Sequence, residues 1–148
     1  MYDSERPAYA HARRSGRPCQ HATHRLTYAQ YDVLRVRAGD ACELCGTPDQ
    51  ETPRGELVID HFEGGGAFFV RGLLCDRCNS VMARHDSTMP WDPASLPFKD
   101  KARAYHLNAV GEPGPEALRR AEAEIARRFD NAYWRYRERA ADVRAAAQ

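Results

Sequence analysis

Two Cys-x-x-Cys pairs constrain this chain more than any other feature. Cys42-Glu43-Leu44-Cys45 and Cys75-Asp76-Arg77-Cys78 stand 29 residues apart. Each short loop sets two sulfurs on one side of an ion, and two such loops complete a tetrahedral shell for zinc. A closed four-sulfur shell leaves no open position, so this ion is expected to hold the fold together and to take no part in a reaction. Three polar residues fall outside the cysteine pairs and remain for chemistry: the doublet Asp60-His61 and Asn79, which directly follows the last cysteine.

A chain of 148 residues suits one domain with an appended element. Five cysteines is an odd number, with four in metal spacing and Cys19 left over. That pattern points to a reducing, cytoplasmic compartment and away from a disulfide framework. There is no apolar run long enough to span a membrane and no apolar signal core at the N-terminus. Net charge is only +1, but of 22 basic residues just Lys99 and Lys101 are lysine. Arginine matches phosphate geometry with a planar fork, which suits a nucleic-acid partner. A GC-rich genome would produce the same arginine bias.

Along the chain, residues 1–25 read as a basic, weakly structured arm. A helix is expected from Thr27, which can cap it, to about Ala38, with Tyr31 and Leu34 on one apolar face and Gly39 at its end. Pro48, Pro53 and Gly55 mark a loop. Leu57-Val58-Ile59 reads as a strand, Gly64-Gly65-Gly66 as a turn and Ala67-Phe68-Phe69-Val70 as the returning strand, with Asp60 and His61 near the tip. Adjacent strand residues point to opposite faces, so a site using both needs an irregularity such as a bulge. A helix then starts near Asn79 or Ser80, and another runs from about Phe98 to Asn108. The longest periodic segment opens at Pro115 and continues to about Ala145. Leu118, Ala121, Ile125, Phe129, Ala132, Tyr136, Ala140 and Val143 form its apolar stripe. Such a helix exceeds what a core of this size can cover, so a partner helix is expected, most simply from a second copy of the chain.

The stretch Cys42–Asn79 resembles the HNH (ββα-metal) nucleases, and specifically the recombination endonuclease VII family. That family's pattern of Cys-x-x-Cys, an Asp-His doublet on a hairpin, then Arg-Gly-Leu-Leu-Cys-x-x-Cys-Asn is met by Cys42, Cys45, Asp60-His61 and Arg71 through Asn79. The likeness covers about residues 26–107. It implies an α+β fold: a small zinc-clamped ββα-metal core over residues 26–110 with flanking helices, to which the periodicity adds a long C-terminal helix over 114–146. It further implies Zn2+ on the four cysteines, a catalytic Mg2+ (Mn2+ as a substitute) held by Asp60 and Asn79, and His61 as general base. A carboxylate and an amide oxygen are hard ligands suited to Mg2+, and a neutral imidazole can take a proton from water at physiological pH. Arg71 and Arg77 are candidate phosphate contacts. Many relatives carry a further histidine two residues after the doublet. Here that position is Glu63, and its role is open.

The resemblance implies a metal-dependent DNA endonuclease of Holliday-junction or branched-DNA resolving type, active in recombination; a resolvase cuts two strands and needs two active sites, which a homodimer through the long C-terminal helix would supply. The alternatives are a general nicking HNH nuclease of phage packaging or defence, and a non-catalytic zinc-knuckle module that only binds DNA. The second has no need of Asp60, His61 and Asn79 together.

Overall fold

The computed structural model describes residues 21, 24–87, 93–109 and 114–147. Most of the basic arm expected over residues 1–25, including Cys19, lies outside them. Helix α1 spans Tyr28–Ala38. Thr27 caps it reciprocally: the Gln30 N–H donates to Thr27 Oγ1 at 3.2 Å, and the Thr27 N–H donates to Gln30 Oε1 at 2.8 Å. The chain then turns through the first cysteine pair. The Cys42 N–H donates to Thr47 O at 2.9 Å and the Gly46 N–H to Cys42 O at 2.8 Å, which closes the knuckle.

Strands β1 (Val58–Gly64) and β2 (Ala67–Leu74) pair antiparallel. They run further than the sequence suggests, because the buried pair Phe62–Phe69 extends the ladder beyond the doublet. Asp60 and His61 therefore sit mid-strand and not near the tip, which is the Gly64–Gly66 turn. Gly65 and Gly66 hold φ of 60° and 82°, and a Cβ on Gly65 would lie 3.0 Å from the Arg120 carbonyl. The turn needs glycine both for its left-handed backbone and for the helix lying across it.

Helix α2 (Asp76–Asp86) begins three residues earlier than Asn79, because Cys75 is its N-cap. The Cys75 Sγ accepts from the Cys78 N–H at 3.4 Å, so a sulfur does the work expected of Asn79 or Ser80. Helices α3 (Leu96–Leu107) and α4 (Gly114–Ala146) complete the α+β fold.

Strand periodicity of two puts Ile59 and Phe62, and likewise Val70 and Phe69, on opposite faces of the hairpin. Ile59, Val70 and Leu73 pack with Tyr31 and Leu34 of α1 and Met82 of α2. Phe62, Ala67 and Phe69 pack against Ala121, with Leu118 and Ile125 at the edge, all from α4. The first part of the α4 stripe thus finds its partner within the chain. Beyond Arg128 the stripe is uncovered: Phe129, Tyr136 and Val143 are 59%, 68% and 69% exposed. The expectation of an outside partner applies to that half alone. None of the described helices is long and apolar enough to cross a membrane.

Candidate metal centre and active site

The four cysteine sulfurs converge. All lie within 4.8 Å of one another, and Cys45 Sγ is 3.7 Å from Cys75 Sγ. A tetrahedron with Zn–S of about 2.3 Å has an edge of about 3.8 Å, so the cluster fits a structural ion such as zinc. The electrostatics agree. Burial, together with the charge of Cys42, pushes the Cys75 and Cys78 thiols up. At Cys45 burial works the same way, but hydrogen bonds from Thr47 and the neighbouring cysteines prevail and bring it down to about 6. Four thiolates this close repel one another unless a divalent cation lies between them. Arg77 is exposed on the first turn of α2, with its guanidinium beside Cys45. It sits at the four-cysteine end of the molecule, where it would offset the negative charge of a thiolate cluster.

The register of the hairpin breaks between Asp60 and His61. Asp60 pairs with Gly72 and His61 with Val70, so Arg71 is the extra residue of a bulge on β2. The irregularity expected at the doublet is present, on the opposite strand. Its consequence is that the Arg71 side chain goes inside, at 1% exposure. Arg71 Nε donates to Asp60 Oδ2 at 2.7 Å and Nη2 to Oδ1 at 3.1 Å. The same guanidinium donates to Asp86 Oδ1 at 2.7 Å and Oδ2 at 2.6 Å. Its remaining contacts are His106 Nδ1 at 3.0 Å and the His61 carbonyl at 3.3 Å. Arg71 was a candidate phosphate contact; the structure corrects this, because the side chain is buried and its donors are taken up by two carboxylates, an imidazole and a carbonyl.

His106 is fully buried and accepts from Arg71 at Nδ1, so its proton sits on Nε2. That nitrogen lies 3.1 Å from Glu122 Oε1 of α4. Burial, with Arg71 and His85 nearby, lowers the His106 pKa to about 4, which keeps the ring neutral. His85, Asp86 and His106 also have ligand spacing, but the cation facing Asp86 and His106 is Arg71.

Asp60 is 3% exposed. Burial raises its pKa, and Asp86 adds to that; Arg71 and the Tyr105 hydroxyl work against it. Asp86 goes the other way: burial is outweighed by hydrogen bonds from His85 and Arg71, and its pKa is lowered. His61 is half-buried, with its ring centroid 5.0 Å from that of His24 and 5.4 Å from that of Phe68. Burial lowers the His61 pKa, and the charges of His24 and Arg71 act in the same sense. The ring is thus neutral at physiological pH. Asn79 is exposed near the start of α2. It shares a helical stripe with Met82 and Asp86, and lies two turns, about 10 Å along the axis, from Asp86. Glu63 is exposed at the end of β1, and its carbonyl accepts from Arg128 Nη2 at 3.1 Å.

Asp60 and Arg71 are therefore brought together directly and His61 borders them, while Asn79 stands two turns of α2 away from Asp86. Sequence reasoning missed Asp86, Tyr105, His106, Glu122 and the place of His24 beside His61. A visible signal existed only for Asp86, as the second half of a His-Asp doublet at a helix end.

A model of the recombination endonuclease VII family matches residues 17–108, more than half of the chain. This chain belongs to the recombination endonuclease VII family. No curated protein and no solved structure matches it. Membership makes the chain a nuclease with DNA as its substrate. The match spans both cysteine pairs, the hairpin, α2 and α3. It stops short of α4, whose Glu122 nonetheless reaches the buried network of this family member.

Proposed function

We propose that this chain is a metal-dependent endonuclease of the HNH type that hydrolyses phosphodiester bonds in branched DNA, in the manner of a junction resolvase. The observation that carries the reading is the bulge opposite Asp60-His61. It separates a buried carboxylate, fixed by Arg71, from a half-open imidazole kept neutral.

The donor set suits a hard divalent ion. Asp60 and Asp86 share one guanidinium, Asp86 is also held by His85, and the Asp60 carboxyl is raised by burial. Asp60 and Asn79 would hold Mg2+, or Mn2+ in its place, through oxygen atoms. When bound, the ion stabilises charge that develops on phosphate oxygens during attack. His61 takes the proton from the attacking water, and the ring needs no prior deprotonation because it is already neutral. Phe68 and His24 restrict its orientation. Arg71 holds the Asp60 carboxylate in one position, at no cost of reorganisation during the reaction. Cutting both strands of a junction requires two such sites, so a second copy acts on the same junction.

The test is cleavage of matched linear duplex, single strand and four-way junction, with and without Mg2+, beside His61→Ala. Paired cuts at the junction, dependent on Mg2+ and lost in His61→Ala, support the reading. Cutting of all three substrates indicates a general nicking nuclease. Binding without cutting, in Mg2+ and in Mn2+, leaves a zinc-knuckle module that only binds DNA.

A further inference from the structure

The half of α4 beyond Arg128 carries more aromatic surface than a solvated helix needs. Phe129, Tyr133, Trp134 and Tyr136 are 59%, 45%, 60% and 68% exposed. Tyr133 and Trp134 meet edge to face at 5.7 Å between centroids. Arg137 lies 5.8 Å over Tyr133 and 6.0 Å over Trp134, and its Nη1 donates to the Tyr133 hydroxyl at 3.2 Å. This cation–aromatic cluster sits at the surface with open faces.

The charges around the stripe are not symmetric. At 3.6 residues per turn, Phe129, Tyr133, Tyr136, Ala140 and Val143 centre one face, and Arg137, Arg139 and Arg144 stand about 60–80° to either side. Arg135 is about 120° away, Asp130 about 100°, and Glu138 and Asp142 about 140–180°; Trp134, at about 140°, lies off the stripe between Asp130 and Glu138. The margins of the exposed stripe are thus mostly arginine, and most of the acids point away from it. A second copy of the same helix would set arginine margins against arginine margins. A polyanion with flat apolar groups meets both the charges and the rings.

We propose that Phe129–Ala146 is a second DNA-contact surface, with Arg137, Arg139 and Arg144 on the phosphates of one duplex arm and Tyr133 and Tyr136 against its sugars or an unstacked base. The segment is about 27 Å long and spans about eight base pairs. The inference rests on the nuclease reading and adds to it a surface outside the segment matched by the family.

The test uses the full chain without added Mg2+, binding a four-way junction and a linear duplex over a range of salt. The variant is Arg137→Gln/Arg139→Gln/Arg144→Gln, whose sites are all exposed. Each lost phosphate contact lowers the salt slope by about 0.9, so the triple variant should lose about 2.7 and bind at least about tenfold more weakly at ~0.1 M salt. Unchanged affinity and slope, with wild-type protein binding well, overturn the inference and leave the nuclease reading standing. So does light scattering that reports a doubled mass without DNA and a single mass for a chain ending after Arg128, because a second copy then covers the surface. Wild-type protein that binds no DNA overturns both.

Discussion

Replacing Arg71 by methionine should expose what the buried network contributes. The side chains are close in volume, so the change removes charge and five N–H donors without opening a large cavity. Two carboxylates lose their shared guanidinium, and Asp60 is 3% exposed. Breaking a buried pair from one side costs about 3–5 kcal/mol, because a charge is left uncompensated. Stability of domains this size is about 5–15 kcal/mol, so the variant keeps a fold but loses a large share of its margin. At about 2–4 °C per kcal/mol, Tm should fall by roughly 10–15 °C near pH 7.5. The pH dependence has a definite sign. In the wild type the depressed Asp86 pKa contributes stability that is present above about pH 4 and lost as pH falls through the lower folded value. Without Arg71, both carboxyls are raised in the folded state, so the fold favours their protonated forms and the penalty is largest at neutral pH. The gap in Tm between the two proteins should therefore narrow from pH 7.5 to pH 5, measured by calorimetry with saturating zinc in both. A drop below about 3 °C at pH 7.5, or a gap that widens on acidification, would show that Arg71 does not hold these carboxylates as described.

Gly72→Ala should cost about 1–3 kcal/mol in a denaturant titration, since a Cβ there would overlap the Glu43 carboxylate and lie 2.7 Å from Arg37 Nη2 and 2.8 Å from the Tyr105 hydroxyl. Chelation of zinc, or Cys78→Ser, should abolish the cooperative thermal transition, because a metal on the four cysteines would join the first knuckle to the start of α2. Cleavage should stay near its maximum down to the ordinary imidazole range of about pH 6.5 and decline only below it, because the lowered His61 pKa keeps the base neutral there. A rate that halves above pH 7 would count against His61 as the base.

The cysteine spacing, the Thr27 cap and the glycine turn could be read from the sequence because each is local: a few neighbouring residues decide it. The register break was legible as a requirement, since a strand alternates faces. The strand that would supply the extra residue was not. Arg71 illustrates the limit. An arginine beside a catalytic doublet reads as a phosphate ligand, and only its partners, Asp86 and His106, 15 and 35 residues away, turn it inward. The start of α2 was misplaced because cap rules weigh oxygen-bearing side chains and here a cysteine sulfur is the acceptor. The division of the α4 stripe depends on how far the hairpin reaches along it, and periodicity does not encode that distance.

The Phe62 and Phe69 face of the hairpin has a consequence for how this protein can be shortened. Its cover is α4, which begins after the last residue matched by the family. A fragment ending at residue 108 would look complete by homology, with both cysteine pairs, the doublet and Asn79. It would also present two bare phenylalanines on a two-stranded sheet and leave His106 without Glu122. Such a fragment should aggregate on expression, and a chain ending just after Arg128 should stay in solution. The smallest soluble unit of this nuclease is set by hydrophobic cover, some twenty residues beyond the point where the recognisable motif ends.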